Sequence, residues 1–168
     1  MAAGTDREYD ARMSDSVTWR LAPYHDLTRD ELYALLQLRQ RVFVVEQSCP
    51  FLDIDGADDR AWHLLGWTRD AEGAPLLGAY ARLFAPGAMY DEASIGRVVT
   101  HPAARRGGLG RALMREALAR LATLSPGSPV RIGAQRYLER FYESLGFHVA
   151  GPEYLEDGIP HVEMLRTA

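Results

Sequence analysis

The segment from Ile95 to Leu121 restricts the possible folds most, because it strings together a strand, a basic glycine-rich loop and a helix. Ile95, Val98 and Val99 form a strand-like run that His101-Pro102 ends, and Arg105-Arg106-Gly107-Gly108-Leu109-Gly110 then leads into an amphipathic stretch. A helix start carries unsatisfied N–H groups and the positive end of the helix dipole, and residues without a Cβ let a diphosphate approach them. Gly107, Gly108 and Gly110 supply that approach. Arg105, Arg106 and Arg111 add positive charge where phosphates would sit, which a purely structural turn does not need.

Two familiar phosphate loops are excluded. A dinucleotide-binding G-x-G-x-x-G fails because Leu113 stands where the third glycine is required. A nucleoside-triphosphate P-loop needs a lysine, and all 19 basic residues of this chain are arginine. What remains is Arg105-x-x-Gly108-x-Gly110, with an ordinary left-handed turn before a helix as the alternative on the loop alone.

The formal charge of −4 argues against nucleic acid as the partner. The length of 168 residues suits one domain, expected over 16–168 after a disordered tail at 1–15. The single cysteine, Cys49, allows no internal disulfide and is expected to be a small buried apolar residue; with no signal-like segment, a cytoplasmic setting is expected. No apolar run is long enough to span a membrane, and no metal site is expected.

Hydrophobic periodicity gives the element order. Ser16 to Ala22 alternates as a first strand, and Thr28-x-x-Glu31 has the form of a capping box before a helix with Leu32, Leu35, Leu36, Arg39 and Phe43 near one face. Strands are predicted at 63–67, 75–83 and 94–100, a helix at 109–121 with Leu113, Ala117, Leu118 and Leu121 buried, and a strand at 130–134. A helix at 137–145 closing on Gly146 and strands at 147–150 and 162–166 complete an α/β domain.

The Arg-x-x-Gly-x-Gly loop resembles the acetyl-CoA pyrophosphate loop of GCN5-related N-acetyltransferases (GNAT). Ala134-Gln135 and Arg140-Phe141-Tyr142-Glu143-Ser144-Leu145-Gly146-Phe147 resemble the second motif of the same family, in the expected order. Further runs, among them Val42-Phe43-Val44-Val45-Glu46-Gln47, Asp53-Ile54-Asp55-Gly56 and Glu156-Asp157-Gly158-Ile159-Pro160-His161, look like its ElaA subgroup. The resemblance implies a single mixed, mostly antiparallel sheet flanked by helices and splayed between its fourth and fifth strands. It also implies acetyl-CoA as cosubstrate, bound by Val98, Val99, Thr100, Arg105, Arg106, Gly107, Gly108, Leu109, Gly110, Arg111, Gln135 and Tyr142.

By the same resemblance Tyr142 is the general acid that protonates the departing thiolate, and the acetyl group passes directly to an amine with no covalent enzyme intermediate. A phenol with pKa near ~10 suits that donation at neutral pH. The strand glutamate that serves many relatives as base has no counterpart in 94–100 or 130–134. His161 is the leading candidate base, with Glu46, His63 and Glu163 beside it. Glu46 and the aspartates at 53, 55, 58 and 59 either attract a cationic acceptor or form a solvated loop. Arg82 and Arg97 either clamp an acceptor carboxylate or make structural ion pairs. The expected acceptor is a primary amine of a small molecule or peptide, the expected assembly a monomer or homodimer, and a non-catalytic acyl-CoA-binding module is the alternative.

Overall fold

The computed structural model describes residues 17–105 and 107–167. The tail expected at 1–15, the start of the first predicted strand and Arg106 lie outside the described residues.

Among the described residues seven strands form one sheet in the order β1-β2-β3-β4-β5-β7-β6. They are β1 (Thr18–Pro23), β2 (Trp62–Arg69), β3 (Pro75–Phe84), β4 (Ala93–Thr100), β5 (Val130–Gln135), β6 (His148–Glu156) and β7 (Ile159–Arg166). Every neighbouring pair is antiparallel except β4 and β5. The helices are α1 (Arg29–Arg39), which runs on into a π-helical segment (Gln40–Glu46), α2 (Leu109–Leu124) and the short α3 (Glu139–Glu143).

Local chemistry explains where these elements begin. The capping box at α1 is complete: Thr28 Oγ1 accepts from the Glu31 N–H at 3.1 Å and the Glu31 carboxylate accepts from the Thr28 N–H at 2.9 Å. Asp157 and Gly158 both have positive φ and form the tight turn between β6 and β7, as an Asp-Gly pair is suited to do.

Both faces of the sheet are covered. Leu113, Met114, Ala117 and Leu121 of α2 pack with Ala79, Ala81 and Leu83 of β3, whereas Leu35, Leu38 and Val42 pack with Leu65, Tyr80 and Val99 on the other side. Residues of β3 thus divide between two cores by the two-residue period of a strand.

Some boundaries differ from the sequence expectation. The helix predicted over 137–145 is a 3-10 turn (Arg136–Leu138) followed by one α-turn. The strand predicted to end at residue 150 continues to Glu156, because β6 is an edge strand and its register shift between Val149 and Glu153 absorbs Pro152. Among the described residues no helix is long and apolar enough to cross a membrane.

Candidate active site

The site begins where the sheet comes apart. β4 and β5 pair only at Ala93↔Val130 and Ser94↔Arg131, after which the two strands diverge. On its other side β4 carries a register shift between Tyr80↔Val99 and Arg82↔Gly96, and within it Arg97 takes φ +50°. A left-handed residue in a strand costs about 1–3 kcal/mol and persists only where its surroundings hold it. Arg97 is held by Asp53: Nε lies 2.7 Å from Oδ1, and Nη2 donates to the Asp53 carbonyl at 3.2 Å. The Nε contact is an ion pair whose N–H is poorly aimed, since neither atom completes a hydrogen bond.

The divergence leaves a cleft of about 820 Å³. Of the residues expected to bind the cofactor, Val98, Val99, Thr100, Arg105, Gly110, Gln135 and Tyr142 line it. His101 donates its N–H to the Gly78 carbonyl on β3 at 2.8 Å, and donors alternate sides along a strand. The Thr100 N–H therefore faces the gap, as does the Thr100 carbonyl that accepts from Arg105 Nε at 3.4 Å.

The glycine loop opens the long helix as its sequence requires. Gly107 and Gly108 have φ +97° and +77°, and Gly108, at the N-cap, accepts at its carbonyl from the N–H groups of Arg111 and Ala112, both at 3.0 Å. A Cβ at Gly110 would meet nothing within 4 Å, so the first turn has open space beside it. Leu109 is buried and anchors that turn in the core. The guanidinium of Arg111 lies 5.5 Å from the centre of the Phe141 ring.

Tyr142 comes to the opposite wall on α3. Its ring makes edge contacts with Phe141 at 5.1 Å and Phe147 at 6.0 Å, and it is 6% exposed. Burial, with a smaller contribution from Tyr137, pushes its hydroxyl up to about 12. Gln135 lies opposite His161 across β5 and β7, and its amide donates to Gln47 Oε1 at 3.4 Å.

His161 also lines the cleft. Its Nδ1 donates to the Ile159 carbonyl at 2.8 Å, because a carbonyl can only accept, and this fixes Nε2 as the basic nitrogen when the ring is neutral. The ring stacks on Tyr154 with centroids 5.8 Å apart, and Nε2 lies 3.8 Å from the Glu156 carboxylate.

The other candidate bases are engaged elsewhere. His63 is fully buried under the sheet, donates from Nε2 to the Asp58 carbonyl at 3.0 Å and accepts at Nδ1 from the Tyr80 hydroxyl at 2.8 Å. Burial holds its pKa below the ordinary value, and it does not line the cleft. Glu163 is bonded to Arg131 at 2.6 Å, and Glu46 takes both terminal nitrogens of Arg105 at 2.6 and 2.9 Å.

Arg82 and Arg97 line the cleft, but both serve in ion pairs. Arg82 donates to Asp55 at 2.7 and 2.6 Å and to Asp58 at 3.0 Å, while Arg39, wholly buried, holds Asp53 and Asp58 at 2.7 Å each. Asp53, Asp55 and Asp58 are therefore engaged by three arginines of the scaffold, whereas Glu46 pairs with Arg105 and Asp59 lies exposed 4.0 Å from Arg60. Hydrogen bonding from Arg82 is the main cause that holds Asp55 far below the usual carboxylate range. Burial pulls the Asp58 pKa up, but Arg39 and Arg82 outweigh it and the net direction is down.

Tyr80, Gln47 and Tyr154 complete these contacts and were not expected from the sequence. The one available signal was Arg39, a charge within the apolar stripe of α1, which requires a buried acidic partner somewhere in the chain.

Comparison with known proteins agrees with this geometry. The model of the acetyltransferase (GNAT) domain matches residues 70–168. ElaA of Escherichia coli is 42% identical over 154 residues, covering 89% of this chain and 96% of ElaA, and its crystal structure superposes with a TM-score of 0.80. An acyl-CoA N-acyltransferase from Pseudomonas aeruginosa is 44% identical, covers 90% of this chain and 100% of its own, and gives a TM-score of 0.84. A Bacillus subtilis acetyltransferase solved in complex with CoA shares the fold at 17% identity and a TM-score of 0.59. The splayed sheet, the glycine loop and these relatives together place the chain in the GNAT family of acetyltransferases.

Proposed function

We propose that this acetyltransferase moves an acetyl group from acetyl-CoA to a primary amine of a small molecule or peptide, by direct attack within a ternary complex. The observation that carries this reading is the gap between β4 and β5, with the Thr100 N–H on one wall, Tyr142 on the other and the glycine loop at the start of α2. The residues present fit the donor. Gly110 and Arg105 line the cleft where α2 starts, so the first-turn N–H groups and the Arg105 charge would meet a diphosphate there, with Arg111 in the same turn beside Phe141. The relative with CoA bound has the same fold.

In the reaction, the amine nitrogen forms a bond to the thioester carbonyl carbon and the carbon–sulfur bond breaks. His161 Nε2 takes the proton that the attacking ammonium must lose, and Ile159 and Tyr154 keep the imidazole oriented. A backbone N–H of the open β4 edge stabilises the oxyanion, a contribution of about 3 kcal/mol. The departing thiolate takes its proton from the Tyr142 hydroxyl. Because burial keeps that hydroxyl protonated up to about 12, the acid is fully loaded across the physiological range.

The test is a mass-spectrometric screen of amines with acetyl-CoA. Acceptor-dependent release of free CoA with an acetylated product is expected, and a folded protein that binds CoA but releases none with any amine contradicts the reading.

A further inference from the structure

Glu46, Gln47 and Cys49 line the cleft and contact residues on both of its walls. Glu46 ends the π-helical segment and receives both terminal nitrogens of Arg105, which stands beyond the end of β4. Gln47 next to it is bonded to Gln135 at the end of β5, and Cys49 Sγ lies 3.7 Å from the Asp157 carbonyl in the turn between β6 and β7. A seven-residue π-helical stretch is rare, and irregular turns of this kind gather at functional sites.

We propose that Glu46 is an internal competitor for the anion seat at Arg105, so that a diphosphate displaces this carboxylate and opens the strap formed by residues 46 to 49. The inference rests on the assignment of the cleft as a CoA site and adds to it a device that sets affinity. A carboxylate and a phosphate present the same paired oxygens to the guanidinium fork. Arg105 gives both terminal nitrogens to Glu46 and its Nε to the Thr100 carbonyl at 3.4 Å, so Glu46 holds the edge that a diphosphate would use. The pair is poised for exchange because its side chains are 40% and 39% exposed. Ion pairs this exposed are weak and screened by salt, whereas a diphosphate brings more charge to the same fork.

The scale of such a pair makes the competition worth about 3- to 5-fold in affinity. Calorimetric titration of the full chain with CoA, inorganic pyrophosphate and phosphate-free pantetheine tests this. Glu46→Gln is expected to tighten CoA and pyrophosphate by about that factor and to leave pantetheine unchanged. Arg105→Gln is expected to weaken both anionic ligands, and adding Glu46→Gln to it to change neither further. Glu46→Asp, one methylene too short to keep both bonds, moves affinity in the same direction by less and covers the case in which the glutamine variant folds poorly. Weaker or unchanged binding of CoA by Glu46→Gln overturns the proposal. Failure of the wild-type chain to bind CoA at all counts instead against the cleft's assignment to this cofactor.

Discussion

Tyr142 and His161 line the same cleft, and the proposed mechanism gives them opposite tasks. Tyr142 is packed between Phe141 and Phe147, and burial keeps its hydroxyl protonated, whereas His161 hydrogen-bonds through its Nδ1–H to the Ile159 carbonyl, which leaves Nε2 without that bond. Replacing Tyr142 by Phe preserves the packing and removes only the hydroxyl proposed as the acid. We expect kcat to fall by about 100-fold, with CoA affinity within a factor of two, measured by steady-state turnover beside calorimetry. The direction of the Tyr142 shift also sets a pH expectation: a hydroxyl raised to about 12 stays protonated where an ordinary phenol at 10 would already be half ionised. The acid therefore imposes no loss of kcat as pH rises to 10, and a loss centred near 10 that Tyr142→Phe abolishes would contradict its burial. His161→Gln keeps a side chain of similar shape without the base and is expected to lower kcat by about 100-fold while CoA still binds.

The element that shapes the site most is the loop from Cys49 to Arg60, which carries the three aspartates that neutralise Arg39, Arg82 and Arg97. Arg97 ties that loop to the left-handed bulge of β4. Each arginine is shared between two of these aspartates, so removing one carboxylate leaves two buried cations under-compensated. Asp58→Asn, which removes one of the two carboxylates that hold each of Arg39 and Arg82 and leaves them Asp53 and Asp55, is expected to cost about 2 kcal/mol and to lower the melting temperature by about 6 °C. Asp55 and Asp58 have folded pKa values depressed below their unfolded ones. Their contribution is therefore present above pH 4 and is lost as pH falls from there through the folded values. Thermal melts from pH 7 to pH 3 should show this decline, with a smaller acid dependence in Asp58→Asn.

This loop was the part of the site least legible in the sequence. Its run of acids without a basic neighbour looks like a solvated or substrate-attracting segment, because their partners stand on α1, β3 and β4, far away along the chain. Periodicity says which face a residue occupies but not which distant charge it meets. The glycine loop, by contrast, is a local device whose function depends on residues next to one another, and it forms where the sequence places it.

At the scale of the whole molecule, element order was legible and the opening of the sheet was not. Alternation and capping signals located the strands and the two long helices, whereas the divergence of β4 from β5 entered only through the family resemblance. No local pattern of apolar residues specifies it. β4 pairs with β5 for two residues and then parts from it, while on its other side it carries the bulge at Arg97. The gap brings unpaired β4 backbone, the start of α2 and Tyr142 to one cavity, and the proposed reaction depends on it.

A titration of the isotope-labelled chain with CoA, followed through its backbone amide resonances, tests that claim most directly. The account predicts that the Thr100, Gly108, Leu109 and Gly110 amides shift together and saturably, while Trp19 and Gly66 on the far side of the sheet stay in place. Saturable binding that leaves those four amides unmoved and perturbs another surface would contradict it.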